Sequence, residues 1–572
     1  MTKSAFIIGF LFTVGCSGAN VYNAGDPASK AFLQTRILEC FLSGCGSAPT
    51  ITNLHQNGLI ETGFVVGSAP SETGAVEVSV NGGAYQAASG TTSWSFGLPA
   101  GAATLRRHTS NVICARGLVN GLPTRSTCLT AVKSDNRDVN GDGFSDLLIG
   151  ATTYDGAAGT DTGAFFIVYG RANGLSSGSI GQADVKLEGA TAGDRLGGAG
   201  KLADVNGDGF ADAIVAARNA FGTSGQVFVF SGSASGIASG TSAAAAAVIT
   251  GIAAGDDLGE AIDAGDINGD NIADILISTT EPATQTGQAY VFFGSTAGIS
   301  SNFASAAATT ITGEATSERL GSYAVVDDFD NDGLMDYCVS ARTYDANDFG
   351  RVYCFKGTPL GLGSVSAATA NLIYTGSSAS QQLSTITRLG DFNGDGLRDL
   401  SIGTRSQNRA YIILNSAGNF TSGTEALAAA TFTNLSGGQF AEFSRLRDLN
   451  RDGFADLILG NNSVNLGAGG FQGGVYVYNG TASPVSLNDG QADNTIGGAA
   501  GGDSLAKMTV LDINGDGYQD LVMSSENAAA SAGQVYIFLG GPAGLPASTT
   551  AASADITITG DQTTGAIGTS FD

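Results

Sequence analysis

Seven times along this chain the same nine-residue phrase returns, built on Asp-x-Asn-x-Asp-Gly-x-x-Asp, and each copy runs straight into a short apolar stretch. The copies are DVNGDGFSD from Asp138, DVNGDGFAD from Asp204, DINGDNIAD from Asp266, DFDNDGLMD from Asp328, DFNGDGLRD from Asp391, DLNRDGFAD from Asp448 and DINGDGYQD from Asp512. Their starts lie 66, 62, 62, 63, 57 and 64 residues apart. Spacing of this kind marks one supersecondary unit that is repeated and stacked, because so small a unit cannot bury its apolar faces alone.

Each loop is followed by an apolar strand such as LLIGA, AIVAA or LVMSS, then by a Gly, Ala, Ser and Thr-rich stretch. A second alternating strand follows, of the type GAFFIVYG, GQVFVFSG or GQVYIFLG, and then a weaker run such as ITG. DRLG (Asp194 to Gly197), DDLG (Asp256 to Gly259) and ERLG (Glu318 to Gly321) lead into the next unit. Period-two alternation between glycine-rich turns predicts about four antiparallel strands per unit. The expected fold is therefore all-β, a seven-bladed β-propeller with four-stranded blades. A linear β-solenoid is the alternative, but its rungs are much shorter than sixty residues. The ends predict closure: the first unit lacks the ITG and LG runs before Asp138, whereas Ile556 to Asp572, ITITGDQTTGAIGTSFD, carries them spare. This tail is expected to supply the innermost strand of the first blade; a frayed end after an open array is the alternative.

The loop chemistry points to a hard divalent cation. Oxygens at positions 1, 3, 5 and 9, with the main-chain carbonyl at position 7, can wrap Ca²⁺ at about 2.3–2.6 Å. The expected ligands are Asp138, Asn140, Asp142, Phe144 and Asp146; Asp204, Asn206, Asp208, Phe210 and Asp212; and Asp266, Asn268, Asp270, Ile272 and Asp274. The next two copies offer Asp328, Asp330, Asp332, Leu334 and Asp336, then Asp391, Asn393, Asp395, Leu397 and Asp399. The last two offer Asp448, Asn450, Asp452, Phe454 and Asp456, then Asp512, Asn514, Asp516, Tyr518 and Asp520. Glycine at position 6 supplies a left-handed turn, and Asn271, which replaces it in the third copy, also tolerates that region. Position 12 is apolar (Ile149 in the first copy), so this is not an EF-hand. Mg²⁺ fits less well because it keeps its own water. Up to seven Ca²⁺ are expected, which would take the formal charge from -26 to -12. A surface Asx-turn is the alternative for any single loop.

With these loops in place, the chain from about Ser134 to Asp572 resembles FG-GAP repeats, the blades of integrin α-chain propellers and of many bacterial exported proteins. The resemblance implies structural Ca²⁺ coordination at the Asp and Asn positions named above, with loops that stiffen the blades on one face while ligands meet the opposite face. Unlike integrin α-chains, this sequence has the loop in all seven units and no leg domains after them, so an integrin-type heterodimer is not expected.

The N-terminus reads as an export signal over residues 1–15: Lys3, an apolar run from Ala5 to Val14, then Gly15-Cys16-Ser17. The apolar run is about half of what a membrane-spanning helix needs. It resembles a bacterial lipoprotein signal, which implies lipidation at Cys16; simple cleavage is the alternative. Removing Cys16 from seven cysteines leaves six, in sequence-local pairs: Cys40 with Cys45, Cys114 with Cys128 and Cys338 with Cys354. Three disulfides are expected, with buried free thiols as the alternative, above all for Cys338 and Cys354 on adjacent strands. Residues 16–56 read as a linker, 57–132 as a small β-sandwich and 133–572 as the propeller. The segment VEVSVNGGAYQAASGTTSWSFGLPAG resembles bacterial Ig-like or fibronectin-like modules, with Trp94 as a core anchor.

Composition narrows the function. A net charge of -26 with no basic stripe argues against nucleic acid. Two histidines, His55 and His108, leave little for His-based catalysis or zinc, and no HExxH is present. Glu260, Glu314, Glu425 and Glu442 are scattered rather than paired as glycoside hydrolysis requires. The expectation is a non-enzymatic, calcium-stabilised binding or adhesion protein of the bacterial cell envelope, lipid-anchored, whose partner is a protein or glycan. The alternatives are a lectin or polysaccharide-active propeller, and a structural part of a surface assembly.

Overall fold

The computed structural model describes residues 47–56, 58–98, 110–280, 286–330, 332–415, 420–466, 470–541, 544–563 and 565–572. The expected signal peptide, Cys16, the Cys40 and Cys45 pair and His108 lie outside them. Among the described residues no helix is long and apolar enough to cross a membrane. The fold is all-β and divides into two compact units.

The first unit comprises 1–57, 65–97 and 110–131. Thr50–Ile51 pairs antiparallel with Ser68 and Gly67, so residues read as linker are part of its sheet. Ala75–Val80 pairs with the strand Ser110–Val119, which neighbours Leu122–Lys133. Cys114 and Cys128 are joined as a disulfide. Trp94 is buried, and its ring explains Gly67, where an added Cβ would come within 2.4 Å of it.

The second unit, 58–64, 98–109 and 132–572, holds seven sheets. Each has an up-and-down antiparallel body with a short parallel pairing at its outer edge, and its second strand is wholly buried, such as Leu147–Ala151, Asp212–Ala217 and Asp520–Ser525. Burial on both faces requires that alternate side chains serve different cores, which these runs of Leu, Ile, Val, Ala and Gly satisfy. Leu148 packs toward the following sheet, while Leu147 and Ile149 pack toward the strands Lys507–Leu511 and Gln534–Phe538 of the last one. Seven apolar cores result, each shared by two successive sheets, and one of them joins the last sheet to the first. Cys338 and Cys354 face each other in register on Asp336–Ala341 and Arg351–Phe355 and are joined as a disulfide.

Sheets are also latched to their neighbours along the chain. Gly163, Gly225, Gly287, Gly350 and Gly473 adopt φ of +71° to +80°, and a Cβ there would meet the backbone of Leu196, Leu258, Leu320, Leu383 and Leu505 respectively, within 2.5 Å. In the last sheet Gly533 makes the same approach, but to Ile567. Ile567-Gly568 thus plays the part of the Leu-Gly pair that the first aspartate-loop repeat lacks. The chain then runs along the first sheet: Leu148 N–H donates to Asp572 O at 2.9 Å, Gly150 N–H donates to Ser570 O at 2.9 Å, and Phe571 bridges Ile149 antiparallel. The closing strand is shorter than expected, because Ile556–Thr559 forms the outer strand of the last sheet instead. An outer tie complements it, since Gly178–Ser179 pairs in parallel with Ile558 and Thr559.

The inner strands surround an axial cavity of about 420 Å³, and a buried ion network lies against it. Asp572 accepts from Lys201 Nζ at 2.9 Å and Arg137 Nη2 at 3.1 Å; Asp135 pairs with Lys201 at 3.2 Å and Arg388 at 2.5 Å; Asp263 pairs with Arg388 at 2.6 Å and Lys201 at 3.6 Å. Burial would raise the Asp572 carboxyl, but Arg137 and Lys201 overcome it and hold it at about 2, below its ordinary 3.8. A carboxylate depressed on folding lends stability above the unfolded value that is lost as pH falls through the folded one. Unfolding free energy should therefore drop by about 2 kcal/mol from this group between pH 4 and pH 2. Denaturation curves of the Asp572→Asn variant should show a correspondingly shallower acid slope; an identical slope would disprove the coupling.

Candidate metal centres

The nine positions of each loop sit at graded depth. Fifth-position carboxylates, Asp142 through Asp516, are exposed in all seven copies, and ninth-position carboxylates, Asp146 through Asp520, are buried in all seven. The ninth residue ties the loop to its hairpin. One oxygen accepts the N–H of position 2 at 2.8–3.0 Å. The other accepts an N–H beyond the next strand, from Gly170, Gly232, Gly294, Gly357, Asn415, Gly480 or Gly540, at 2.7–3.0 Å.

Above that anchor the odd positions form a ladder. The first-position carboxylate accepts the N–H of position 6 at 2.8–3.1 Å. The third-position side chain accepts that of position 5 at 2.8–3.1 Å. The fifth accepts that of position 7 at 2.8–3.0 Å. Side chains at 1, 3 and 5 thus each accept a main-chain N–H two to five residues ahead in their own loop. Asn271 takes φ +70°, in line with its replacing glycine.

Burial disfavours the charges that this geometry collects. It raises Asp138, Asp212, Asp274, Asp336, Asp456 and Asp512 to about 7, Asp399 to about 6 and Asp520 to about 8, and lifts Asp146 well above its ordinary value. In the fourth copy burial, with help from Asp327, Asp332 and Asp330, raises Asp328 to about 6. Here the extra carboxylate makes a distinct cluster: ligand oxygens of Asp328, Asp330 and Asp332 lie within 4.8 Å of one another. Oδ1 of Asp328 is buried without a hydrogen-bond partner among the described residues. Hard oxygens, a surplus of negative charge and an orphaned carboxylate oxygen fit a divalent cation. Lys356 pairs with Asp330 and meets part of that surplus. Among the described residues, no other copy brings three carboxylates so close, because Asn holds position 3 and the ninth residue stays below.

Two roles were not read from the sequence. Position 4 is also left-handed: Gly141, Gly207, Gly269, Gly394 and Gly515 take φ of +69° to +81°, and Arg451 takes +59°. The side chain at position 7 covers the fourth position of the preceding loop. Cβ atoms at Gly141, Gly207, Gly269 and Gly394 would meet Phe210, Ile272, Leu334 and Phe454, and one at Gly515 would meet Phe144 of the first loop. Where Arg451 replaces glycine, its guanidinium lies 4.9 Å from the centre of the Tyr518 ring. The recurring Gly at position 4 and the apolar residue at position 7 were the available signals. The scattered Glu260 and Glu314 serve ion pairs, with Arg218 and Arg351 respectively, and Glu442 pairs with Arg405.

Comparison with known proteins agrees with these loops. A family profile described as FG-GAP repeat matches residues 135–168, 258–292 and 506–538, and one described as FG-GAP-like repeat matches 391–459. Integrin alpha-4 of Xenopus laevis is 30% identical over 150 residues, which cover 24% of this chain and 13% of the integrin. Among solved structures, the Dos1 propeller is 12% identical with a TM-score of 0.34, covering 83% of this chain and 92% of its own. An Agrocybe aegerita lectin specific for non-reducing terminal N-acetylglucosamine is 15% identical with a TM-score of 0.27, covering 73% and 90%. The matched segments contain the first, third, fifth, sixth and seventh aspartate loops, with their hairpins in whole or in part. This chain, in short, carries FG-GAP repeats in a β-propeller.

Proposed function

We propose that this protein is a calcium-stabilised binding or adhesion protein of the cell surface, with no catalytic activity, built as a closed seven-bladed propeller that follows an Ig-like module. The observation that carries this reading is the ladder of carboxylate and amide oxygens in each loop, locked side by side by position-7 side chains. Such loops serve as rigid struts when a cation neutralises them. In the proposed arrangement up to seven Ca²⁺ occupy the loops, Cys16 carries a lipid anchor in the envelope, and a protein or glycan partner meets a propeller face. The ion pairs of Glu260, Glu314 and Glu442 with Arg218, Arg351 and Arg405 favour binding over glycoside hydrolysis.

The test is binding of the purified full chain to a glycan array and to intact cells, with 2 mM calcium and with EGTA, alongside a polysaccharide turnover assay. Saturable, calcium-dependent binding without turnover supports the reading. Turnover would assign an enzyme instead, and a fixed stoichiometric partner recovered without any cell or glycan binding would assign a structural subunit.

A further inference from the structure

The axial cavity contains cationic groups that the protein leaves without a countercharge. Three cations, Arg137, Lys201 and Arg388, are matched by Asp135, Asp263 and Asp572 in the network described above. Arg445 and Arg447 are additional. They line the same cavity from alternate positions of the inner strand Phe440–Arg447, so both project from one face of it. Neither forms an ion pair among the described residues. Arg445 Nη1 donates only to Ser444 O at 2.8 Å and Arg447 Nη1 only to Leu446 O at 3.0 Å, although a guanidinium carries five donors. Facing the same space, Arg137 is 6% exposed, and its Nε is buried with no hydrogen-bond partner.

Burial lowers both guanidiniums, Arg445 to about 10, and neighbouring cations add to it: Arg447 and Arg137 act on Arg445, Arg388 and Arg137 on Arg447. The carboxylates that act in the opposite direction, Asp572 and Asp263 on Arg445, Glu61 and Asp135 on Arg447, do not restore either group. Three of these are already bonded to other cations. A chain of net charge -26 thus keeps a positive island on its axis. Unpaired, desolvated donors of one sign are costly unless something completes them.

We propose that the axial cavity is a binding site for an oxyanion, held by the guanidiniums of Arg445 and Arg447. Planar guanidinium forks match carboxylate and phosphate oxygens. A cavity of about 420 Å³ is in the range of small-molecule sites and exceeds what a bare anion fills. Apolar walls from Ile262, Val325, Ile386 and Met508 would take the remainder of a ligand such as an acidic sugar or a phosphate ester.

Calorimetric titration of the full chain, at constant ionic strength set with sodium chloride, tests this with two probes: inorganic phosphate and glucuronate. Saturable one-to-one binding of either is expected, weakened at least tenfold in the double variant Arg445→Gln and Arg447→Gln. Phosphate alone would identify a phosphate source, and glucuronate alone a sugar-acid source. The double variant should melt no lower than the parent, since it removes unpaired, half-buried charge. Should it melt lower, the single variants Arg445→Lys and Arg447→Lys, which keep charge but lose the fork, carry the same test. Absence of saturable binding for both probes, or undiminished binding by the folded variants, overturns the proposal.

Discussion

EGTA should lower the melting temperature of this protein by about 10 °C or more relative to 2 mM calcium, with several sites acting together. A site held at a hundred times its dissociation constant adds about 2.7 kcal/mol. The metal-free loops lose more than that attraction, because burial already pushes first- and ninth-position carboxylates toward protonation. Scanning calorimetry with and without chelator measures the effect, and limited proteolysis should show cleavage within the loops only in EGTA. Magnesium at the same concentration should restore less, since that ion gives up its water reluctantly. The Asp328→Asn and Asp332→Asn pair should reduce the calcium-dependent increment without abolishing it, as six other loops remain. Melting that is indifferent to EGTA would remove calcium from the account.

Deletion of Gly568–Asp572 is expected to cost about 5 kcal/mol or more. The lost strand supplies the partners of Leu148 and Gly150, and Phe571 leaves the apolar core between the last and first sheets. Arg137 and Lys201 are left buried beside an incomplete network, a change that by itself costs about 3–5 kcal/mol. Because Asp572→Asn removes the charge and keeps the strand, the difference between the two variants isolates the backbone contribution. Urea denaturation and protease sensitivity of the hairpin Leu147–Val168 provide the readouts. A truncated protein as stable as the parent would mean that the outer tie through Gly178–Ser179 suffices.

Much of this was legible in the sequence because repetition averages out local ambiguity. A single run such as LLIGA fits a strand or a buried helix; seven such runs after seven aspartate loops fit only a strand. The spare ITG and LG at the end announced closure, and Ile567-Gly568 does take the place of the missing pair. The extent was overread, because the same letters, ITIT, serve equally as the outer strand of the last sheet. Alternation along the loop gave no hint that the ninth-position aspartates are buried and accept one N–H from their own loop and one from beyond the hairpin. Nor did the sequence disclose the axial cations. Arg445 and Arg447 look like ordinary polar positions of an edge strand, and only the closure of the sheets brings them to the cavity that Arg137 also lines.

Sharing every apolar core between two sheets leaves no sheet terminal in space, whatever its place along the chain. The covalent order then becomes a matter of where the thread is cut. A circular permutant that joins Asp572 to the start of the ring through a short linker and opens at an exposed turn, for instance beside Leu360, should assemble the same ring. Lineages that carry such repeats are accordingly free to shift their start point by whole units, provided that the final segment can still reach the opening left by the first.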